Sequence, residues 1–223
     1  MKIAISGNGK MGKRIGELAK INGDTIVATS SSKNPTNTLD LSMADVAIDF
    51  STPTSAFDNI AHAINSGIPV ISGTTGWLEK KKEIEQLCTN KEGAFLYASN
   101  FSLGMNLFFQ LNKQLAKLMK NQNYESKIHE IHHIEKLDSP SGTAKTLAKD
   151  AEEILNNKIK ITAERVENVS GTHTIIYSCE EDEIEIKHTA KNRDGFAMGA
   201  LIAAKWIIGK KGIFSMNDVF GMQ

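Results

Sequence analysis

Cysteine is scarce in this chain, with two residues, Cys88 and Cys179, among 223. They lie far apart and lack the spacing of metal ligands, so neither a disulfide framework nor a zinc site is indicated, and a reducing compartment fits. No apolar run is long enough to cross a membrane: the most apolar late stretch, 201–208, is interrupted by Lys205. The N-terminal apolar stretch is too short for a signal peptide. We therefore expect a cytoplasmic protein without a membrane partner.

An excess of charge of either sign is also missing. Lys and Arg number 26 and Asp and Glu number 26, so the formal net charge is zero. A nucleic-acid partner is not expected, because such proteins concentrate basic charge. The composition, 40% hydrophobic and 23% charged, excludes an intrinsically disordered chain.

Short apolar runs alternate with helical patterns over residues 1 to 100. Strands are predicted at 2–6, 25–29, 46–50, 69–72 and 94–97, with amphipathic helical stretches between most of them. Such alternation predicts a parallel sheet with helices on both faces. The fold class is therefore α/β, with a Rossmann-like parallel-sheet nucleotide domain.

The pattern changes after Phe101. Four leucines at 107, 111, 115 and 118 predict a long amphipathic helix, and a strand is expected over 126–134. A helix around 144–154 and strands at 172–178 and 183–188 follow, which is an α+β pattern with a mixed sheet. We predict a nucleotide domain of residues 1–101 and 196–223, and a substrate-binding and oligomerisation domain of residues 102–195.

A G-x-G-x-x-G motif directly follows the first predicted strand and opens a helix. Its residues are Gly7, Asn8, Gly9, Lys10, Met11 and Gly12. In this context the glycines permit a tight turn, a close approach of the backbone to a pyrophosphate, and close helix–strand packing. The motif predicts a dinucleotide site, NADPH or NADH, with a ligand-free glycine turn as the alternative.

The acidic residue that commonly ends the second strand of such domains is absent. Ser31, Ser32 and Lys33 stand there instead, and hydroxyls and an ammonium suit a 2′-phosphate better than a carboxylate would. We therefore expect NADPH to be used at least as well as NADH, although the segment is equally consistent with a polar loop that contacts no cofactor. A second loop, Gly73-Thr74-Thr75-Gly76, follows the strand at 69–72 and is a weaker ligand signal.

The most informative stretch is 130–144. His132 and His133 are followed by Lys136 and then by Ser-Pro-Ser-Gly-Thr, a helix N-terminal signature. Two imidazoles, an ammonium and a helix N-terminus together predict a pocket for a carboxylate or dicarboxylate. A histidine there could also transfer a proton near neutral pH. Metal binding lacks a third suitably spaced ligand, so no metal is expected.

The stretch from His132 to Ala144, with Lys136, Asp138 and Pro140-Ser141-Gly142-Thr143, resembles the signature of the dihydrodipicolinate reductase family, whose reaction is the reduction of 4-hydroxy-tetrahydrodipicolinate. The resemblance extends in order through further segments, namely 7–12, 45–53, 73–76, 98–106, 188–190 and 196–200. It implies NAD(P)H-dependent reduction of a small dicarboxylate with loss of water, in lysine and diaminopimelate synthesis, by a homotetramer.

The resemblance also implies residue roles. His132 and Lys136 occupy positions assigned to proton transfer, and His133, Gly142 and Thr143, with Ser141 close by, would bind substrate carboxylates. The dinucleotide would contact three segments, 7–12, Gly73-Thr74-Thr75 and Ala98-Ser99-Asn100-Phe101.

Two other functions stay open at this point. Another oxidoreductase of similar build, such as an amino-acid dehydrogenase, would share the nucleotide half but not the stretch after His132. A dinucleotide-sensing protein without catalysis would keep the glycines and lose His132 or Lys136, and both are present.

Overall fold

The chain divides into two units, Met1–Leu103 with Asp194–Gln223 (unit 1) and Gly104–Arg193 (unit 2). The structure is a computed structural model, and it describes residues 1–31, 35 and 38–222. The strands in chain order are β1 (Lys2–Ser6), β2 (Thr25–Ser30), β3 (Val46–Asp49), β4 (Val70–Ser72), β5 (Ala94–Tyr97), β6 (Glu125–His132), β7 (Lys160–Arg165), β8 (Thr172–Ser178), β9 (Glu183–Thr189) and β10 (Gly212–Phe214). The helices are α1 (Lys10–Ile21), α2 (Pro53–Asn65), α3 (Lys81–Asn90), α4 (Leu103–Met119), α5 (Gly142–Leu155), α6 (Asp194–Ile207) and α7 (Met216–Phe220).

Unit 1 is built around a parallel sheet in the order β10-β5-β4-β3-β1-β2. Successive strand residues point to opposite faces. Ile3 and Ile5 therefore join one buried cluster with α1 and α6, while Ala4 joins another with α2 and α3. Both faces are covered, as a parallel sheet requires.

Unit 2 contains a mixed sheet in the order β7-β6-β8-β9. β6 pairs in parallel with β7 and antiparallel with β8, and β8 pairs antiparallel with β9. Its core holds Phe108 of α4, Leu147 of α5, Ile128 of β6 and Ile175 of β8, all at most 5% exposed.

The predicted fold class is confirmed, with three corrections to its elements. The strand predicted over 126–134 ends at His132, because the turn leading to α5 starts there. β7, β10 and α7 were not predicted, since each is short or lacks clear periodicity. Three of the four leucines that predict α4 do not face its core: Leu107, Leu111 and Leu118 are 51%, 50% and 73% exposed, whereas Leu115 packs against it.

Helix α6 belongs to unit 1, where Gly199 lets it lie directly on the chain at Phe101. A Cβ on Gly199 would sit 1.8 Å from the carbonyl oxygen of Phe101. Over the residues that the structure describes, no helix has both the length and the apolar character needed to span a membrane.

Candidate active site

The carboxyl ends of five parallel strands meet at one edge of the unit 1 sheet. Ser6 pairs with Ser30 and Asp49, Asp49 with Ser72, and Ser72 with Tyr97. The loops that follow these ends carry the residues predicted to bind the dinucleotide. Ligands bind at this edge in open α/β sheets.

The glycine loop fits the conformation that its motif predicts. Gly7 has φ +105°, and a Cβ there would lie 2.2 Å from the carbonyl oxygen of Phe50. A Cβ on Gly12 would lie 1.9 Å from the carbonyl oxygen of Gly7. For Gly9, by contrast, no described residue lies within 4 Å of the place of a Cβ, and Gly9 directly precedes α1 as its N-cap. The backbone of Gly9 and the N-terminal N–H groups of α1 are thus accessible to an anion.

A cavity of about 540 Å³ opens beside this loop. It is lined by Gly7, Asn8, Gly9, Ser30, Ser31, Pro35, Phe50, Ser51, Thr52, Ser55 and Asn59. Its volume is in the range of cofactor pockets, and the open glycine backbone suits a pyrophosphate. These residues therefore fit part of a dinucleotide.

Asp49 organises this edge of the sheet, and the sequence analysis did not single it out. Its carboxylate is 1% exposed and accepts hydrogen bonds from the hydroxyls of Ser51, Ser72 and Thr74 at 2.5, 2.8 and 2.7 Å, and from Asn59 at 3.2 Å. Burial raises the pKa of Asp49, although the four donors oppose the rise. The network ties the loop after β4 to the end of β3.

The other predicted dinucleotide residues lie at this edge with different exposure. Thr74 is buried, and its hydroxyl accepts from the N–H of Ser51 at 2.9 Å, so its side chain is structural, whereas Thr75 is exposed. Phe101 is 1% exposed, with its ring centroid 5.5 Å from that of Phe50. Ser99 is exposed on the same loop.

The predicted 2′-phosphate segment is described only in part. Ser31 lines the cavity. Ser30 is buried, and its hydroxyl accepts from the N–H of Gly7 at 3.1 Å, which holds the glycine loop in place. Ser32 and Lys33 lie outside the described residues.

In unit 2, His132 ends β6 with its side chain turned into a buried polar cluster. Its Nδ1 lies 3.0 Å from Oε2 of Glu130, whose side chain is fully buried. The ring centroid of His173, on β8, is 5.0 Å from that of His132. Arg165, on β7, donates to Oε1 of Glu130 at 3.2 Å. Three neighbouring strands therefore supply the cluster.

The pKa values in this cluster follow from burial opposed by charge. Burial lowers the pKa of His132, Glu130 opposes this, and Lys136 and Arg165 add to it. Burial alone would raise the pKa of Glu130, but its hydrogen bonds with Ser141, the charge of His132 and the hydrogen bond from Arg165 bring it below its usual range. Burial lowers the pKa of His173 to about 4. The cluster thus combines a charged carboxylate with imidazoles that favour the neutral form.

The N-terminus of α5 adjoins the cluster. Ser141 is 1% exposed, and its hydroxyl accepts from the N–H of Ala144 at 3.2 Å, so this side chain caps the helix. The N–H of Gly142 donates to Asp138 at 3.2 Å, and the ammonium of Lys136 lies 2.7 Å from the same carboxylate. The ammonium of Lys136 and the N–H of Gly142 thus both contact the carboxylate of Asp138.

Two predicted substrate residues remain. His133 follows the end of β6 and is half-buried, and its Nδ1 is buried with no hydrogen-bond partner among the described residues. Thr143 is half-buried in the first turn of α5.

Glu130, His132 and His173 are also the one group within residues 1–31, 35 and 38–222 whose donor atoms are placed as metal ligands could be. The sequence analysis found no third ligand because His173 is distant in the chain. Arg165 and Lys136 lie beside the group, and two fixed positive charges oppose a cation. The expectation that no metal is bound stays a prediction.

Comparison with known proteins decides the family. Residues 1–101 match "Dihydrodipicolinate reductase, N-terminus" and residues 104–220 match "Dihydrodipicolinate reductase, C-terminus". The chain belongs to the dihydrodipicolinate reductase family. The predicted family is confirmed.

Relatives in this family align over nearly the whole chain. The 4-hydroxy-tetrahydrodipicolinate reductase of Christiangramia forsetii is 47% identical, with 98% of this chain and 97% of the relative covered. That of Buchnera aphidicola is 36% identical, with 94% and 82% covered. The solved dipicolinate-bound dihydrodipicolinate reductase from Paenisporosarcina sp. TG-14 has a TM-score of 0.78 at 22% identity, with 96% of this chain and 97% of that chain covered, which shows a shared fold.

The fold alone does not separate this family from amino-acid dehydrogenases. Aspartate dehydrogenase from Thermotoga maritima has a TM-score of 0.54 at 14% identity, with 92% of this chain and 95% of that chain covered. The sequence match across both halves makes the distinction.

Sequence reasoning missed Glu130, Arg165 and His173. Glu130 had a usable signal: it lies two residues before His132 on one strand, and such residues share a face. Arg165 and His173 had none, because their proximity to His132 depends on strand order and register.

Proposed function

We propose that this chain reduces 4-hydroxy-tetrahydrodipicolinate with NADH or NADPH, with loss of water, in lysine and diaminopimelate synthesis. The observation that carries the proposal is the match of both halves of the chain to one reductase family. The relative from Christiangramia forsetii carries the name of this reaction. The chain is an NAD(P)H-dependent oxidoreductase by its family, and the roles below are proposed for its residues.

Unit 1 holds the dinucleotide. Bound NADH or NADPH supplies the hydride. The open backbone of Gly9 and the N–H groups that begin α1 receive the pyrophosphate, with Asn8, Lys10 and Met11 in the same turn. Gly73, Thr75 and the loop from Ala98 to Phe101 complete the site along the same sheet edge.

NADPH is used at least as well as NADH. No Asp or Glu ends β2, where a carboxylate would repel a 2′-phosphate. Ser31 faces the cavity, and the sequence adds a hydroxyl at Ser32 and an ammonium at Lys33. Salt weakens the attraction between an ammonium and a phosphate, so the preference is modest and shrinks as ionic strength rises.

The carboxylates of the substrate bind at the N-terminus of α5. Lys136 and the N–H of Gly142 both contact Asp138 in this structure, so a substrate carboxylate that takes these donors displaces Asp138. Thr143 adds a donor in the first turn, and His133 lies at the end of the preceding strand. Charge-assisted hydrogen bonds to a carboxylate are stronger than neutral ones, which favours a dicarboxylate over uncharged ring compounds.

His132 and Lys136 move the proton that accompanies hydride addition and loss of water. Nδ1 of His132 faces Glu130, and Nε2 is the nitrogen left for substrate. Lys136 reaches the same region through the loop that precedes α5.

The chain acts as a cytoplasmic homotetramer without nucleic-acid or membrane partners. The exposed leucines of α4 support self-association, because large apolar side chains gathered along one helix mark interaction surfaces. The balanced charge of the chain offers nothing that attracts nucleic acid.

The test is turnover of the cyclic substrate, generated in situ, by wild type and by His132→Ala and Lys136→Ala, with NADPH and NADH compared in parallel. A lost proton donor lowers kcat by about 10²–10⁴-fold. Lys149→Ala is the matched control, since this lysine is 75% exposed on α5, where it pairs with Glu153 at 3.9 Å. No turnover by wild type would refute the function, and near wild-type kcat in both variants, with intact circular dichroism, would remove these residues from the mechanism.

A further inference from the structure

We propose that Glu130 is a positioning residue for this reaction: its carboxylate fixes the ring of His132 and the N-terminus of α5 relative to each other. The inference rests on the function proposed above, because it concerns how that site is assembled.

The contacts of Glu130 reach both parts of the site. Oε1 accepts from the N–H of Ser141 at 2.9 Å and from Arg165 at 3.2 Å. Oε2 lies 3.0 Å from Nδ1 of His132 and 3.7 Å from Nε2 of His173. Ser141 caps the helix whose N–H groups receive the substrate, so one carboxylate joins the helix to the proton-transfer histidine.

The side chain of Glu130 is fully buried, where an unpaired carboxylate is costly. Oε2 of Glu130 and Nδ1 of His132 are both buried and make no hydrogen bond of standard geometry to a described residue, yet the two atoms lie 3.0 Å from each other. Each is therefore the natural partner of the other. A carboxylate at Nδ1 keeps a proton on that nitrogen and leaves Nε2 to face substrate.

Gly171 lies beside the other ring nitrogen of His132, Nε2. A Cβ on Gly171 would lie 3.0 Å from Nε2 of His132. A side chain at position 171 would therefore crowd Nε2, and glycine avoids that contact.

Arg165 extends the arrangement to Lys136. Its guanidinium donates to the carbonyl oxygens of Lys136 at 3.3 Å and Asp138 at 2.5 Å, in addition to Glu130. The loop that carries Lys136 is therefore tethered to the same carboxylate. Glu130 thus connects, directly or through Arg165, each element that supplies a substrate-side residue.

The charge of Glu130 should also set the proton affinity of His132. Five charged or titratable groups face that ring: Glu130, Lys136, Asp138, Arg165 and His173. Glu130 and Asp138 raise the pKa of His132, whereas Lys136 and Arg165 lower it. Loss of the carboxylate and loss of the guanidinium therefore shift this pKa in opposite directions, which a purely structural role would not produce.

The experiment is an NMR titration of the His132 ring in the full chain, with EDTA present and without ligands. Glu130→Gln should lower the pKa of His132 by about one unit or more, which is a tenfold loss of proton affinity. Arg165→Gln should raise it. Glu125→Gln is the matched control, because Glu125 is exposed at the start of the same strand and should leave the His132 titration unchanged.

Kinetics supply the second readout. In Glu130→Gln, kcat at pH 7.5 should fall about tenfold or more, with the alkaline limb of the pH profile moved to lower pH and KM for the dinucleotide unchanged. An inactive wild type would overturn the proposed function, whereas an unshifted His132 titration in Glu130→Gln overturns the positioning role whatever the turnover. If Glu130→Gln does not fold, Arg165→Gln decides: a raised His132 pKa supports the role, and an unshifted one overturns it.

Discussion

His173 should make the stability of this protein depend on pH below neutrality. Its side chain is 6% exposed on β8, and burial lowers its pKa to about 4, with the charge of His132 adding to the shift and that of Glu130 opposing it. In the unfolded chain the pKa of a histidine is about 6.5. The folded state therefore holds His173 neutral at pH values where the unfolded chain already binds a proton.

The sign and size follow from this difference. Because the unfolded state binds more protons, the contribution of His173 is fully present above about pH 6.5 and is lost as the pH falls toward 4. The free energy of unfolding should fall by about 1.4 kcal/mol at pH 5.5 and about 2.5 kcal/mol at pH 4.5 from this residue alone. That is a large share of the stability of an ordinary domain.

The assay is urea unfolding of wild type and His173→Gln at several pH values. In wild type, Nε2 of His173 lies 3.3 Å from the hydroxyl of Ser141. Glutamine keeps a polar group near this hydroxyl but does not titrate. Far-UV circular dichroism should be followed, because Trp77 and Trp206 both lie in unit 1 and tryptophan fluorescence would not report on unit 2.

The substitution itself lowers stability by a constant amount, so the informative quantity is the slope with pH. Between pH 7.5 and 8.5, where His173 is neutral in both states, the two proteins should give parallel curves. Below pH 6.5 the wild type should lose stability faster than the variant. If the variant loses stability as steeply as wild type down to pH 4.5, burial of a neutral His173 is refuted.

Two glycine substitutions test the geometry of each unit. Gly12→Ala places a Cβ 1.9 Å from the carbonyl oxygen of Gly7 and should raise the Kd for NADPH, measured by calorimetry, at least tenfold. Gly16→Ala on the same helix is the control, because its Cβ would have its nearest contact at 3.6 Å and should leave the Kd unchanged. Equal losses of affinity in the two variants would disprove the close packing at Gly12. Gly171→Ala combines φ +146° with a contact 3.0 Å from Nε2 of His132 and should lower kcat about tenfold and stability by about 1–2 kcal/mol, leaving the Kd for NADPH unchanged. Wild-type kcat in that variant would show that Nε2 is not the working nitrogen.

Much of unit 1 could be predicted from local sequence. β1, the glycine turn and α1 follow one another within about twenty residues, and two of the glycines have a local steric reason: φ +105° at Gly7, and at Gly12 a Cβ that would lie 1.9 Å from the carbonyl oxygen of Gly7. The N-terminus of α5 was equally readable, because Ser141 caps the helix through a contact only three residues away. Structural features that depend on residues close together in the chain can be predicted from the spacing of those residues.

The exposure of side chains was less readable. Leucines at helical spacing predicted α4, yet three of them are at least half exposed, because the core takes Met105, Phe108 and Met119 instead. Periodicity identifies a helix with an apolar face, but which face meets the core of one chain depends on what packs against it.

The sequence by itself determined the strand–turn–helix of the nucleotide motif and the family stretch after His132, from which the residues of the reaction are proposed. Only the tertiary structure decided that Glu130, Arg165 and His173 surround His132, and that Asp49 gathers donors from two strand ends. The reason is physical. A local pattern fixes φ, ψ and the side to which a residue points, whereas the neighbours of a buried charge are set by strand order, register and the exclusion of water from the assembled core.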